Sequence, residues 1–319
     1  MLSLKKVHNG SDGYNSVFQS WHEQASIRVK SRRVISEDEL EGKVFFPPES
    51  FPVISHPLIK ERGEHIIKKL LIYRLYSYLD FTENLELQIV NPIAYKIAHN
   101  QLNIDMSREK RLDAYKIYVD EAYHALFSVD IKTQVEKVTG IASLDLGTPN
   151  FLQRLSHIQE SVDSNLQEII KVFWTIVSET LITGILAEMP KNKDVVTPVR
   201  EMIKDHAQDE SHHHVYFASL LETLWFQLQP KYRSVIGPLL PEMIFAFLEP
   251  DITVIKYCLG AVGLESQEID MVVKESYSRR DVILGVKKAA NVTLKHFDIN
   301  GIFEDPYTAE AFEKSGLFS

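Results

Sequence analysis

The chain is predicted to be all-α, a bundle of four long helices with further helices before and after it. Three observations lead there. Thirteen glycines and thirteen prolines in 319 residues leave few breaks for turns. No stretch alternates apolar and polar residues with period two for long enough to require a sheet. Long segments instead repeat apolar residues at the three-and-four spacing of a helix face.

Residues 1–62 read as irregular with short helices, ending in the proline-rich run Val44–Pro52, which is held extended and is expected to wrap the bundle surface. A first helix covers about 63–100, or two helices joined near Pro92, whose ring clashes with the carbonyl four residues back. A second runs from about 108 to 129, and Thr139–Asn150 is a loop. The third covers roughly 155–188 and stops before Met189-Pro190. The fourth, about 196–228, starts with Thr197 as N-cap and Pro198 at the first helical position. Shorter helices are expected over 231–297, then a polar, irregular tail. The reading is one domain over 1–319 without a linker, with the bundle at about 63–228 and helices one and two repeated by three and four.

Composition excludes several functions. A net charge of -9 argues against a nucleic-acid surface. The single cysteine, Cys258, allows no internal disulfide and reads as a small buried hydrophobe in a reducing compartment. The first sixteen residues lack the apolar run of a signal peptide, so a cytoplasmic location is expected. The stretch Val172–Met189 approaches membrane-spanning length but carries Glu179 near its centre. A lone acid is expensive in lipid, so no membrane span is expected, and a core helix holding a ligand fits better.

Two segments, Asp120-Glu121-Ala-Tyr-His124 and Asp209-Glu210-Ser-His-His213, share the pattern D-E-x-x-H. At helix spacing each aims a carboxylate and an imidazole to one side. In both, the pair interrupts an apolar stripe: Ala114, Ile117, Glu121, His124, Ser128 in one, and Ile203, His206, Glu210, His213, Phe217, Leu220, Leu224 in the other. Glu179 interrupts Val172, Ile176, Ile182 and Leu186, while Glu86 lies on a stripe with Leu79, Ile89 and Ile93. One E-x-x-H is commonly a surface pair. Two copies at core positions, with one further Glu from each of two helices, form the ligand set of a ferritin-like di-iron carboxylate bundle. Four Glu charges balance two divalent ions, iron or manganese paired with iron. Glu121 and Glu210 can bridge, with His124 on one ion and His213 on the other. Asp120 and Asp209 are candidate acceptors for the free N–H of the histidine on the opposite helix. The residues alone leave Glu83 open as an alternative to Glu86, and His214 to His213. His206 is one ligand more than the usual set.

The combination Glu86, Glu121-x-x-His124, Glu179 and His206-x-x-x-Glu210-x-x-His213 resembles the p-aminobenzoate N-oxygenase family of di-iron enzymes, which adds a third histidine to the bundle site. The spacings, 35 residues from Glu86 to Glu121 and 27 from Glu179 to His206, match that pattern and select Glu86 over Glu83. The resemblance implies O2 activation at two iron ions and oxygen transfer to an amine nitrogen, giving hydroxylamine, nitroso or nitro products in natural-product biosynthesis. No flavin or nicotinamide motif is present, so an external electron donor or reductase is expected. The substrate is left between an arylamine and an amino acid tethered to a carrier protein, with docking residues among Arg28, Lys30, Arg32 and Arg33, or Arg279 and Arg280. Two other functions share the ligand set: C–H hydroxylation or desaturation, and a non-catalytic iron-binding bundle. The roughly ninety residues after 228 look more like a substrate lid than part of a storage cage. A homodimer is the default assembly.

Overall fold

The computed structural model describes residues 13–186 and 189–318, without the side chains of residues 183 and 185. Most of the expected signal-free N-terminus and the expected end of the third helix, at 188, lie outside the described residues. The chain forms helices α1 (Trp21–Gln24), α2 (Ser26–Val29), α3 (Pro57–Glu61), α4 (Glu64–Leu85), α5 (Asn91–Ala98), α6 (Arg108–Thr139), α7 (Asn150–Glu160) and α8 (Gln167–Leu186). They continue as α9 (Thr197–Gln227), α10 (Pro230–Ile236), α11 (Leu240–Leu248), α12 (Ile252–Ala261), α13 (Ser266–Ser276), α14 (Arg279–Ile299) and α15 (Pro306–Ser315). No strand occurs among the described residues, only an isolated bridge between Val44 and Val195. This is a ferritin-like all-α bundle.

The four long rods are α4 continued by α5, then α6, α8 and α9. α4 and α5 pack on α6, and α8 packs on α9. The break near Pro92 takes a specific form. Residues Glu86–Val90 make a π turn between α4 and α5, and the Asn91 N–H bonds the Glu86 carbonyl five residues back. Proline has no N–H for the carbonyl four residues earlier, and the widened turn absorbs that deficit.

The tail expected to be irregular instead ends in α15, which Asp305 caps by accepting from the Thr308 N–H and Phe312 anchors by its burial, and three boundaries also differ from expectation. α6 runs ten residues past 129, to Thr139, because Ile131 and Val135 continue its buried stripe and Gly140 closes the helix in the left-handed conformation, φ 66°. The third predicted helix is two, α7 and α8, separated at Ser161–Leu166, where Ser, Asp and Asn side chains compete for backbone hydrogen bonds. Thr197 is the first helical residue of α9 rather than its cap, with Val196 before it and Pro198 in the first turn.

α8 is apolar nearly all round because it is covered nearly all round. Besides α9, it packs against α7, α11 and α14, and Thr293 of α14 donates to Thr180 at 3.1 Å. The C-terminal residues expected to form a lid therefore contribute an outer layer over this rod. Among the described residues no helix is long and apolar enough to cross a membrane. Cys258 is buried, and burial pushes its thiol up to about 11.

Candidate metal centre

The stripes seen in sequence meet at mid-bundle. Ile203, Phe217, Leu220 and Leu224 of α9, Ala114 and Ile117 of α6, Val172 and Ile176 of α8, and Leu79, Ile89 and Ile93 near α4 and α5 are all buried. Between these apolar layers lie Glu86, Glu121, His124, Glu179, His206, Glu210 and His213, all fully buried. Glu83, one turn before Glu86, is partly exposed. His214 points away from the cluster, with its Nε2 3.1 Å from His296 Nε2.

The seven side chains interlock through two carboxylates. Glu210 Oε1 lies 3.2 Å from His124 Nδ1, 3.3 Å from His206 Nε2 and 3.3 Å from His213 Nδ1. Glu121 lies 2.8 Å from His124 Nδ1 and 2.9 Å from His213 Nδ1. Glu86 approaches His206 Nε2 at 3.7 Å, and Glu179 approaches His213 Nδ1 at 3.9 Å. Donor atoms within 4.8 Å of one another fall into three sets: Glu86, His124, His206 and Glu210; Glu121, His124, Glu210 and His213; and Glu86, Glu121 and Glu179.

Behind the cluster, Asp209 Oδ2 is 3.2 Å from His124 Nε2, and Asp120 Oδ2 is 3.3 Å from His213 Nε2. Each aspartate thus meets a histidine of the opposite helix at its outer nitrogen, leaving Nδ1 turned inward. Two contacts to these aspartates are not apparent in the sequence. The Trp21 indole N–H donates to Asp120 at 2.8 Å, and the Ser26 backbone N–H donates to Asp209 at 3.2 Å.

The electrostatics show what this packing demands. Burial, reinforced by the charge of Glu121, pushes the Glu86 carboxyl well above the usual range, and burial with the charge of Glu210 does the same to Glu179. Burial also raises Glu210 and Glu121, but the adjoining imidazoles outweigh it and hold both below their ordinary values. Burial lowers His124 and His213, yet the surrounding carboxylates hold both well above the imidazole range. His206 is lowered by burial and by the neighbouring His124.

Both oxygens of Glu86 and of Glu179, Oε2 of Glu210 and Nδ1 of His206 are buried with no hydrogen-bonding partner. Each such group costs about 1–3 kcal/mol, more when charged. Hard carboxylate oxygens mixed with imidazole suit divalent transition-metal ions, which satisfy these atoms without protons.

A profile of the p-aminobenzoate N-oxygenase AurF family matches residues 32–290. The chain belongs to this family. It is an enzyme of the N-oxygenase kind. A relative, the 4-aminobenzoate N-oxygenase of Streptomyces thioluteus, is 22% identical over 265 residues, covering 81% of this chain and 78% of that protein. In this N-oxygenase family member the match includes all four long rods and ends before α15.

Proposed function

We propose that the protein is a di-iron N-oxygenase that oxidises an arylamine to its hydroxylamine and onward to nitroso or nitro products. The observation that carries this reading is the third histidine. In a chain of this family, His206 lies fully buried within the same set of donors as Glu86, His124 and Glu210. In this reading Glu86, His124 and His206 hold one ion, and Glu179 and His213 hold the other. Glu121 and Glu210 lie between them, each close to histidines of both halves. Four carboxylates neutralise two divalent ions, and manganese beside iron satisfies the same donors. Bound there, reduced metal supplies oxygen activation: O2, two electrons from an external reductase and two protons become one water and one oxygen atom on the amine nitrogen.

The chain's own residues set the conditions. Asp120 and Asp209 fix the histidine tautomers and orient the rings. Phe127 packs edge-on against His206 at 5.5 Å between centroids and helps keep water from that side. The helices outside 63–228 complete this packing, so the whole chain serves as one oxygenase domain.

An arylamine is favoured over a carrier-tethered amino acid because most of the expected docking cations are spent within the chain. Arg33 bonds Asp205 at 2.6 Å, Arg32 bonds Asp130 at 2.6 Å, Lys30 lies 3.8 Å from Asp205, and Arg279 pairs with Glu249. The test is single turnover of the iron-loaded, reduced protein with isotopically labelled O2 and 4-aminobenzoate, beside an aliphatic amino acid. Label on the arylamine nitrogen alone is expected. O2 consumption with no labelled nitrogen product overturns the assignment.

We propose a surface for a homodimer as well. On the outer side of α6, Leu112, Tyr115, Val119, Ala122, Leu126 and Val129 follow an unbroken three-and-four spacing and are exposed, Leu126 by 62%. A heptad seam of this kind is self-complementary about a two-fold axis, and over eighteen residues it extends about 26 Å. Leu126→Glu is expected to convert a dimer to a monomer in light scattering while leaving metal content unchanged. A variant that stays dimeric places the interface elsewhere.

A further inference from the structure

The two outer carboxylates are held from behind by one short stretch of chain. Trp21 Nε1 donates to Asp120 at 2.9 and 2.8 Å to its two oxygens, and the Ser26 N–H reaches both oxygens of Asp209 at 3.2 and 3.3 Å. Each carboxylate then passes the constraint across the bundle. Asp120, on α6, meets His213 on α9, and Asp209, on α9, meets His124 on α6. Two relays therefore run crosswise from the six residues Trp21–Ser26. The stretch is itself anchored, since Ala25 is buried, Ser26 Oγ bonds the Asp205 carbonyl at 3.2 Å and Arg33 pairs with the Asp205 side chain.

We propose that Trp21 and the Ser26 N–H are positioning groups that set the two metal positions separately. Trp21 acts through Asp120 and His213, and Ser26 acts through Asp209 and His124. This rests on reading the cluster as a dinuclear centre. A carboxylate bonded on only one side can rotate within its well, and the imidazole it orients then loses both its tautomer preference and its aim. Losing an outer-shell partner of a metal-bound histidine typically lowers affinity about 10–100-fold. Because the relays share no residue, each loss is confined to one ion.

The backbone offers a clean test of the second relay. Ser26 is the first residue of α2, and Ala25 before it has φ -57° and ψ 135°. The extended Ala25 and the first helical position both suit a proline backbone, and the ring carbon that replaces the N–H displaces the Asp209 carboxylate from it. Ser26→Pro therefore removes the N–H that reaches Asp209, and Ser26→Ala controls for the lost hydroxyl. Trp21→Phe removes the indole N–H while keeping an aromatic ring.

The full-length protein, stripped of metal, is titrated with Co(II) and followed by its visible ligand-field bands and by ions retained per chain, with melting of the metal-free protein measured in parallel. The wild-type chain and Ser26→Ala are expected to take up two ions. Trp21→Phe and Ser26→Pro should each retain one ion at wild-type affinity and bind the other about tenfold or more weakly. The double variant should weaken both, with metal-free melting lowered by no more than the loss of the deleted hydrogen bonds accounts for. Two ions at wild-type affinity in both single variants overturns the proposal. So does equal weakening of both ions together with a lower metal-free melting temperature, which is what loosened packing alone produces. A wild-type chain that binds no Co(II) removes the dinuclear reading itself, and this inference with it.

Discussion

The two halves of the cluster are built from the same words and are not equivalent. α6 and α9 each carry Asp-Glu-x-x-His, and each aspartate meets the other helix's histidine. Four residues before the glutamate, however, α6 has Ile117 and α9 has His206, both fully buried. The remaining carboxylates differ too: Glu86 sits on the π turn, whereas Glu179 sits in unbroken α8. The two departures meet, since His206 shares its donor set with Glu86 and His124. A repeated motif thus yields a near-symmetric cradle, and one added imidazole beside one widened turn would make the two proposed ion positions chemically distinct. π turns are frequent at functional sites, and this one changes the approach of a single carboxylate.

Three substitutions break this comparison at different depths. Glu210→Ala removes the oxygen common to all three histidines, so loss of both ions and of measurable turnover is expected in metal analysis and product assays. Retention of two ions would show that Glu210 is not shared. His206→Ile makes α9 match α6. The ion on the Glu86 side is expected to bind more weakly by at least the roughly 10–100-fold that an outer partner costs, while its neighbour is unaffected. Equal weakening of both ions would erase the asymmetry. Glu179→Leu acts on the metal-free protein, where neither carboxylate oxygen has a hydrogen-bonding partner. Replacing that buried acid with a similar apolar volume is expected to raise metal-free stability by about 1–3 kcal/mol in denaturant unfolding, even as metal uptake falls. Unchanged or lower stability would mean that Glu179 is well accommodated without a cation.

Much of the fold was legible because long apolar stripes leave little freedom, and an acid that interrupts one stands out. Glu179 inside Val172–Met189 is the plainest example, since its helix is buried nearly all round and tolerates a charge only for a reason. The breaks were harder. Ser161–Leu166 looks like ordinary polar helix until its side chains compete with the backbone, and α6 continues past 129 on Ile131 and Val135 alone. Glu83 and Glu86 are one turn apart, so residue type could not separate them. The family resemblance favoured Glu86, and the structure buries it. The contacts of Trp21 and Ser26 were beyond reach. They span 99 and 183 residues, and one of them uses a backbone N–H that leaves no mark on the sequence. The outer stripe of α6 was readable, but the inner stripe, interrupted by Glu121 and His124, is the more conspicuous of the two.

The most direct measurement is anomalous diffraction at the iron edge from crystals of the iron-loaded protein. Two peaks are expected inside the bundle, one contacting Glu86, His124 and His206 and the other Glu179 and His213, with Glu121 and Glu210 between them. A single peak, peaks away from these seven side chains, or an iron-replete crystal with no peak in the bundle would contradict that arrangement.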